Sequence, residues 1–179
     1  MAGIVTFAPV SMCWNAEDVK PFKFDNTMTV EKGHPVQHLV DWTAVVARGT
    51  REGRLQALVL NCHGHYGFDH QTGVRDSAGG IPVLTGGFGL SMGEGIGMTA
   101  AKLFGTLAGL VGGIHIYGCG AAATPLPDTE LTNVNICQIM ADAARCPVVA
   151  STALQPDVEG PGLNMAPAWV GKVVRFTPQ

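Results

Sequence analysis

Two short stretches carry side chains able to do chemistry: "LVLNCHG", Leu58 to Gly64, and "IHIYGCG", Ile114 to Gly120. Each is an apolar run that ends in a reactive residue beside glycine, His63 in the first and Cys119 in the second. A thiol nucleophile needs access, an imidazole to move protons and backbone N–H donors to hold an oxyanion. Glycine next to both residues lets the chain turn sharply and lets a substrate backbone come close. The interval between them is long enough for one loop, one crossover helix and one strand, so geometry permits a Cys119/His63 dyad. Plainer readings stand beside this one. Cysteine is among the most buried residue types, and a lone histidine commonly serves as a structural hydrogen-bonding group. The pairing of the two at strand ends is what favours catalysis.

The other reactive side chains read as packing or solvent-facing groups. Cys13, Cys62, Cys137 and Cys146 fit inert buried thiols. His65 and His70 fit a loop facing solvent or substrate, and His115 fits a satisfied buried histidine on the strand face opposite Ile114 and Ile116. Cys62, His63, His65, His70 and Cys119 offer zinc-ligand chemistry, but crowding at 62, 63 and 65 suits a structural site poorly, and no metal or other cofactor is expected. Gly95 to Ala100 satisfies GxGxxA, a weak match in a chain with 24 glycines and without the required preceding strand. That region reads instead as a flap between the two motif strands, with Ser91, Thr99 or another polar side chain near the helix start as a cap.

Around these motifs stand elements that must position them. "GIVTFAP" (Gly3 to Pro9) reads as a first strand, and "DNTMTV" as part of an irregular excursion or short hairpin. "HPVQHLVDWTAVVARGT" places Val36, Leu39, Val40, Thr43, Val46 and Ala47 at helical spacing with Gly49 as a stop. "LQALVL" is apolar on both faces, the mark of a buried parallel strand. Tyr66 to Gly97 is glycine-rich and aperiodic, and a loop of this length in a compact domain is usually functional. Further helices are expected at Met98–Val111 and from Asp128 or Thr129, the latter burying Leu131, Val134, Cys137, Ile139 and Met140. Further strands are expected at Gly113–Gly118, Pro147–Thr152 and in "AWVGKVVRF". Alternating strands and helices define an α/β class with a mostly parallel sheet and helices on both faces. Right-handed crossovers then bring His63 and Cys119 to the same sheet edge.

Composition narrows the function classes. The 179 residues suit a single domain over 1–179. A hydrophobic share of 46% against 14% charged residues argues for a packed interior, and a net charge of −3 without a Lys/Arg cluster argues against a nucleic acid or an anionic membrane as partner. Five scattered cysteines without a CxxC pair fit reduced thiols. With no secretory signal or membrane-spanning run evident, a soluble cytoplasmic location is expected.

The two motifs resemble those of the cysteine peptidases with the caspase-like fold, a group that includes caspases, gingipains, separase and the autoprocessing domains of large bacterial toxins. Their shared signature is a hydrophobic strand ending in His-Gly and a later one ending in a small residue and the nucleophilic Cys. "ALVLNCHG" and "IHIYGC" supply the two halves. The likeness to the toxin autoprocessing domains and related bacterial domains extends to "AAKLFGTLAGL" and "CPVVAST" and covers roughly Leu55 to Thr152. The caspases' own Gln-Ala-Cys-x-Gly is matched only in the small residue before Cys119, so a preference for aspartate is not implied. The resemblance implies a three-layer caspase-like fold, Cys119 as nucleophile, and His63 as the group that protonates the leaving amine. It also implies that the N–H groups of Gly64 and Cys119 hold the oxyanion of a peptide or protein substrate. "STALQPDVEG" would wall the specificity pocket, making Ser151, Thr152, Asp157 and Glu159 pocket candidates. Asp157 or Glu159 there could select a basic residue, although ordinary solvation is the reading the sequence favours for both. An exposed sheet edge would let a second copy pair as a homodimer. The same fold without catalysis, as a binding or scaffold module, and the same dyad in a deamidase or other acyl transferase are the alternatives.

Overall fold

Short apolar runs buried on both faces build the centre of the molecule. The computed structural model describes residues 3–65, 67–68, 84–123 and 135–179. Six strands form one sheet: β1 (Met12–Ala16), β2 (Asn26–Val30), β3 (Leu58–Asn61), β4 (Ile114–Tyr117), β5 (Val148–Ser151) and β6 (Val173–Phe176). Their spatial order is β6-β5-β4-β3-β1-β2, with every neighbouring pair parallel except β5–β6. Every residue of β1 and β3 is buried, as interior parallel strands covered on both faces should be. The chain is therefore of the α/β class with a mostly parallel central sheet. Strand order reverses where β1 lies beside β3, and the crevice outside the carboxyl ends at such a point is where open α/β sheets take ligands.

Two strand assignments differ from the sequence reading. The Gly3–Pro9 run contributes Ile4–Thr6 to a separate two-stranded antiparallel ribbon with Met165–Pro167, not to the central sheet. The first central strand is "MCWNA", and "DNTMTV" supplies the parallel edge strand β2 rather than a hairpin. A strand buried on both faces shows no apolar-polar alternation, and Asn15 within β1 makes the run look like a loop until its buried hydrogen bonds are seen.

Three helices are described: α1 (Val36–Gly49), α2 (Met98–Ala101), which continues into a 3₁₀ turn over Lys102–Leu107, and α3 (Ile136–Ala144). α1 buries Val36, Leu39, Val40, Thr43, Ala44 and Ala47 on one stripe. The helix expected over Met98–Val111 tightens and stops early, where Gly105 lowers helix propensity and Gly109 takes a left-handed φ of 76°. α2 starts at Gly97 with no side-chain cap, so neither Ser91 nor Thr99 caps it. α3 is capped by Asn135, whose side chain accepts from Cys137 N. The expected start near Asp128 or Thr129, with Leu131 and Val134, lies outside the described residues.

Alternate residues of the sheet divide between two cores. Met12, Trp14, Leu58, Leu60, Ile114, Ile116, Val148 and Ala150 pack with all three helices in one cluster. Cys13, Val59 and Tyr117 face the other way, into a smaller cluster with Phe7, Phe22, Phe24 and Ala166. Among the described residues, then, helices cover one face only, and the expectation of helices on both is corrected. The second face is covered by the outer ribbon and by the irregular segments flanking β1, whose aromatic rings fill the space that a helix would otherwise occupy. No helix among the described residues is long and apolar enough to cross a membrane.

Candidate active site

Register alone brings the two motifs together. Asn15, Asn61 and Tyr117 stand in one cross-strand row at the carboxyl ends of β1, β3 and β4. His63 lies two residues past Asn61, and Cys119 two residues past Tyr117. Cys62 N donates to Tyr117 O at 3.1 Å, extending the pairing one step beyond the strands. A Cβ on Gly64 would collide with Cys119 O and stand 2.9 Å and 3.0 Å from that residue's carbonyl carbon and nitrogen. Only glycine fits there, because the two strand ends touch backbone to backbone.

That contact sets the direction of an amide. The short strand His63–Gly64 pairs with Leu90–Ser91, and His65 N donates to Gly89 O. Gly64 and Leu90 therefore form the non-hydrogen-bonded pair of this antiparallel ladder. The Gly64 N–H accordingly turns away from its strand partner, toward the Gly118–Cys119 edge, and its nitrogen lies 3.4 Å from where a Cβ on Gly118 would stand.

Cys119 is half-buried, whereas the other four thiols are buried. Gln155 N donates to its sulfur at 3.3 Å and Gln155 O lies 3.6 Å from it as an acceptor. Gln155 thus brackets the sulfur with one backbone donor and one backbone acceptor. Gln155 is itself held, its side chain bonded to Ala153 O, Val170 O and Val170 N at 3.0 to 3.1 Å. The imidazole of His63 is exposed and lies 3.6 Å from the Asp18 carboxylate, just past β1. The carboxylate stands beside one ring edge, and an exposed pair of this kind is weak.

A narrow cleft of about 30 Å³, open to solvent, joins His63 and Cys119. Its lining also includes Asn61, Tyr117, Phe22 and Asp157. Two buried asparagines fix one wall. Asn61 Nδ2 donates to Asn15 Oδ1 at 2.8 Å and to Lys20 O at 2.9 Å, and Asn15 clasps Phe22 through both its N–H and its carbonyl. Tyr117 stacks on Trp169 with centroids 4.6 Å apart and meets the edge of Phe22 at 5.1 Å. Its hydroxyl is buried without a partner among the described residues, and burial raises its pKa.

Of the pocket candidates, Asp157 lines this cleft. Ser151 is buried, its hydroxyl donating to Val170 O and accepting from Ala153 N, so it ties the β5 end to the neighbouring loop. Thr152 bonds Lys172 O through its amide and hydroxyl. Glu159 is exposed and outside the cleft lining.

The remaining reactive groups are placed as follows. Burial raises the pKa of Cys13, Cys62 and Cys137 and pushes that of Cys146 up to about 11. These four suit packing. His65 is exposed and borders a second hollow with Asp18, Ser91 and Glu94, while His70 lies outside the described residues. His115 is half-buried against Phe7 and Trp169, but its Nδ1 has no partner among the described residues, so it is not the satisfied histidine expected. Among the described residues no group of three or more metal-ligating side chains converges. Asp18 and Gln155 escaped the sequence reading. Asp18 follows a strand that did not read as one, and Gln155 acts through its backbone, which no residue type reveals. No protein-family model, curated protein or solved structure matches the chain.

Proposed function

We propose that this chain is a cysteine peptidase with a caspase-like fold, cutting a peptide bond through Cys119 and His63. The observation that carries the reading is the backbone contact of Gly64 with Cys119, which joins the two motif strand ends beside one cleft lined by a half-buried thiol and an exposed imidazole. The mostly parallel sheet, with both motif strands adjacent at its centre, supports the same fold. In this mechanism the Cys119 thiolate adds to the scissile carbonyl carbon. The Gly64 and Cys119 N–H groups take the developing oxyanion charge. Protonated His63 gives its proton to the leaving amine as the C–N bond breaks, leaving a thioester. Neutral His63 then takes a proton from water as the hydroxide adds to the thioester carbonyl, and the acid product and the thiol are released. Asp18 holds the imidazole in position throughout.

The test is iodoacetamide labelling of the native protein across pH, with the five cysteines mapped by mass spectrometry, beside hydrolysis of a mixed peptide library. Selective labelling of Cys119 that shifts in pH or weakens in His63→Ala is the expected result. Loss of library cleavage by about 10³-fold or more in folded Cys119→Ala should accompany it. Cleavage that persists without the thiol would overturn the proposal.

A further inference from the structure

The cleft beside Cys119 has one ionised wall residue outside the dyad, and it is acidic. Asp157 lines the cleft, and no lysine or arginine does so among the described residues. Its Oδ1 accepts from Lys20 N at 2.8 Å, a backbone bond that aims the carboxylate without neutralising it. No cationic side chain lies within 4.0 Å of Asp157 among the described residues. Two neutral surfaces complete the slot: the Phe22–Tyr117–Trp169 aromatic cluster behind it, and Val19, Pro156 and Pro167 along it. The Asn15–Asn61 clasp holds Phe22 in place, so the wall is formed before anything binds.

A slot with apolar sides and a single fixed carboxylate suits a long unbranched side chain that is apolar along its stem and cationic at its end. We propose that this cleft receives a lysine or arginine of the substrate, the residue on the acyl side of the bond cut by Cys119. The inference rests on the peptidase reading and names its substrate class. An acidic side chain would meet the Asp157 carboxylate without a cation to offset it, since the nearby His63 already faces Asp18. A leucine would bury its stem but leave the carboxylate unpaired. Glu159, outside the lining, plays no part, which separates two carboxylates that sequence alone treats alike.

The experiment uses three peptidyl acyloxymethyl ketones that differ only in a terminal lysine, leucine or aspartate. In each, the Cys119 thiolate forms a C–S bond at the methylene and a carboxylate leaves as the C–O bond breaks. Second-order labelling rates are followed by mass spectrometry on the full chain, in the wild type and in Asp157→Asn. The asparagine retains an oxygen to accept from Lys20 N, and a thermal melt checks that the fold is kept. The expected result is a lysine-to-leucine rate ratio of about ten or more, the aspartate reagent slowest, and a fall of about tenfold in that ratio in Asp157→Asn. A wild-type ratio near one, or a ratio unchanged by Asp157→Asn, with Cys119 still labelled, overturns the basic-residue inference and leaves the dyad standing. Failure of all three reagents at Cys119 overturns both.

Discussion

The two faces of the sheet are made by alternate residues of the same strands, yet they differ in kind. Toward the helices, β1, β3, β4 and β5 present Met12, Trp14, Leu58, Leu60, Ile114, Ile116, Val148 and Ala150, all apolar and buried. Toward the ribbon, the same strands present Asn15, Asn61, His115, Tyr117 and Ser151 among their residues. The first face gives burial with few polar groups to satisfy. The second mixes apolar residues such as Cys13 and Val59 with polar ones that need hydrogen-bond partners; it finds them for the asparagines and the serine, and leaves His115 Nδ1 and Tyr117 OH without one among the described residues. The cleft opens at the end of this second face. Stability and chemistry are thus divided between odd and even positions of single strands, and substitutions one residue apart should act on different properties.

The largest separation is expected from the helical face. Phe104, fully buried in the 3₁₀ turn, packs against Trp14 with centroids 5.8 Å apart. Phe104→Ala should cost about 3–5 kcal/mol of stability through lost burial and a residual cavity. Urea unfolding measures that cost. At urea concentrations below the transition, the relative iodoacetamide reactivity of Cys119 over the other thiols should be unchanged. A selective loss of Cys119 reactivity in this variant, ahead of unfolding, would break the division of labour.

This same division explains what the sequence makes legible. α1 is readable because its stripe of Val36, Leu39, Val40, Thr43 and Ala47 faces a single apolar core. β3 and β5 are readable as apolar runs, and β4 as a run of β-branched and aromatic residues broken only by His115. Asn61-Cys-His and Tyr-Gly-Cys are readable as strand ends because reactive residues follow those runs directly. β1 is missed because its second-face residue, Asn15, reads as a loop signal; its buried partners, Phe22 and Asn61, are brought to it only by tertiary structure. Asp18, next along, is missed with it. The covering of the second face escapes for another reason: a layer of separate aromatic rings from Phe7, Phe22, Phe24 and Trp169 has no period to detect.

A smaller loss of stability with a larger effect on the site is expected at Asn15. Its Oδ1 accepts from Phe22 N at 2.9 Å and from Asn61 Nδ2 at 2.8 Å, and its Nδ2 donates to Phe22 O at 3.0 Å. Asn15→Ala leaves buried partners unpaired, at about 1–3 kcal/mol in all. The wall formed by Lys20 to Phe22 then loses its anchor while the helical core stays intact. Peptide cleavage should fall several-fold more than stability accounts for at temperatures where the variant is folded. If cleavage tracks only the folded fraction, the asparagine clasp belongs to the scaffold and not to the site.

The smallest effect is conditional on pH and comes from His115. Burial first, and Arg175 second, lower its pKa to about 4. Arg175 stands in the same cross-strand row, paired to Val149 as His115 is on the other side. Phe7 and Trp169, the rings against the imidazole, offer no charge to hold a proton. The folded protein therefore keeps His115 neutral where an unfolded chain, with an ordinary histidine pKa of about 6.5, begins to bind a proton. Its contribution is complete above about pH 6.5 and is lost as pH falls toward 4, because the unfolded state takes up the proton first. The loss approaches about 2–3 kcal/mol at the acid end. Carboxylates titrate over the same range, so the measurement is the difference in urea unfolding free energy between wild type and His115→Phe at several pH values from 7 to 4. A difference that grows in favour of the phenylalanine as pH falls is the expected outcome. A difference flat with pH would mean that the imidazole finds a way to carry its proton within the fold, and the second face would then be better supplied with polar partners than its aromatic packing suggests.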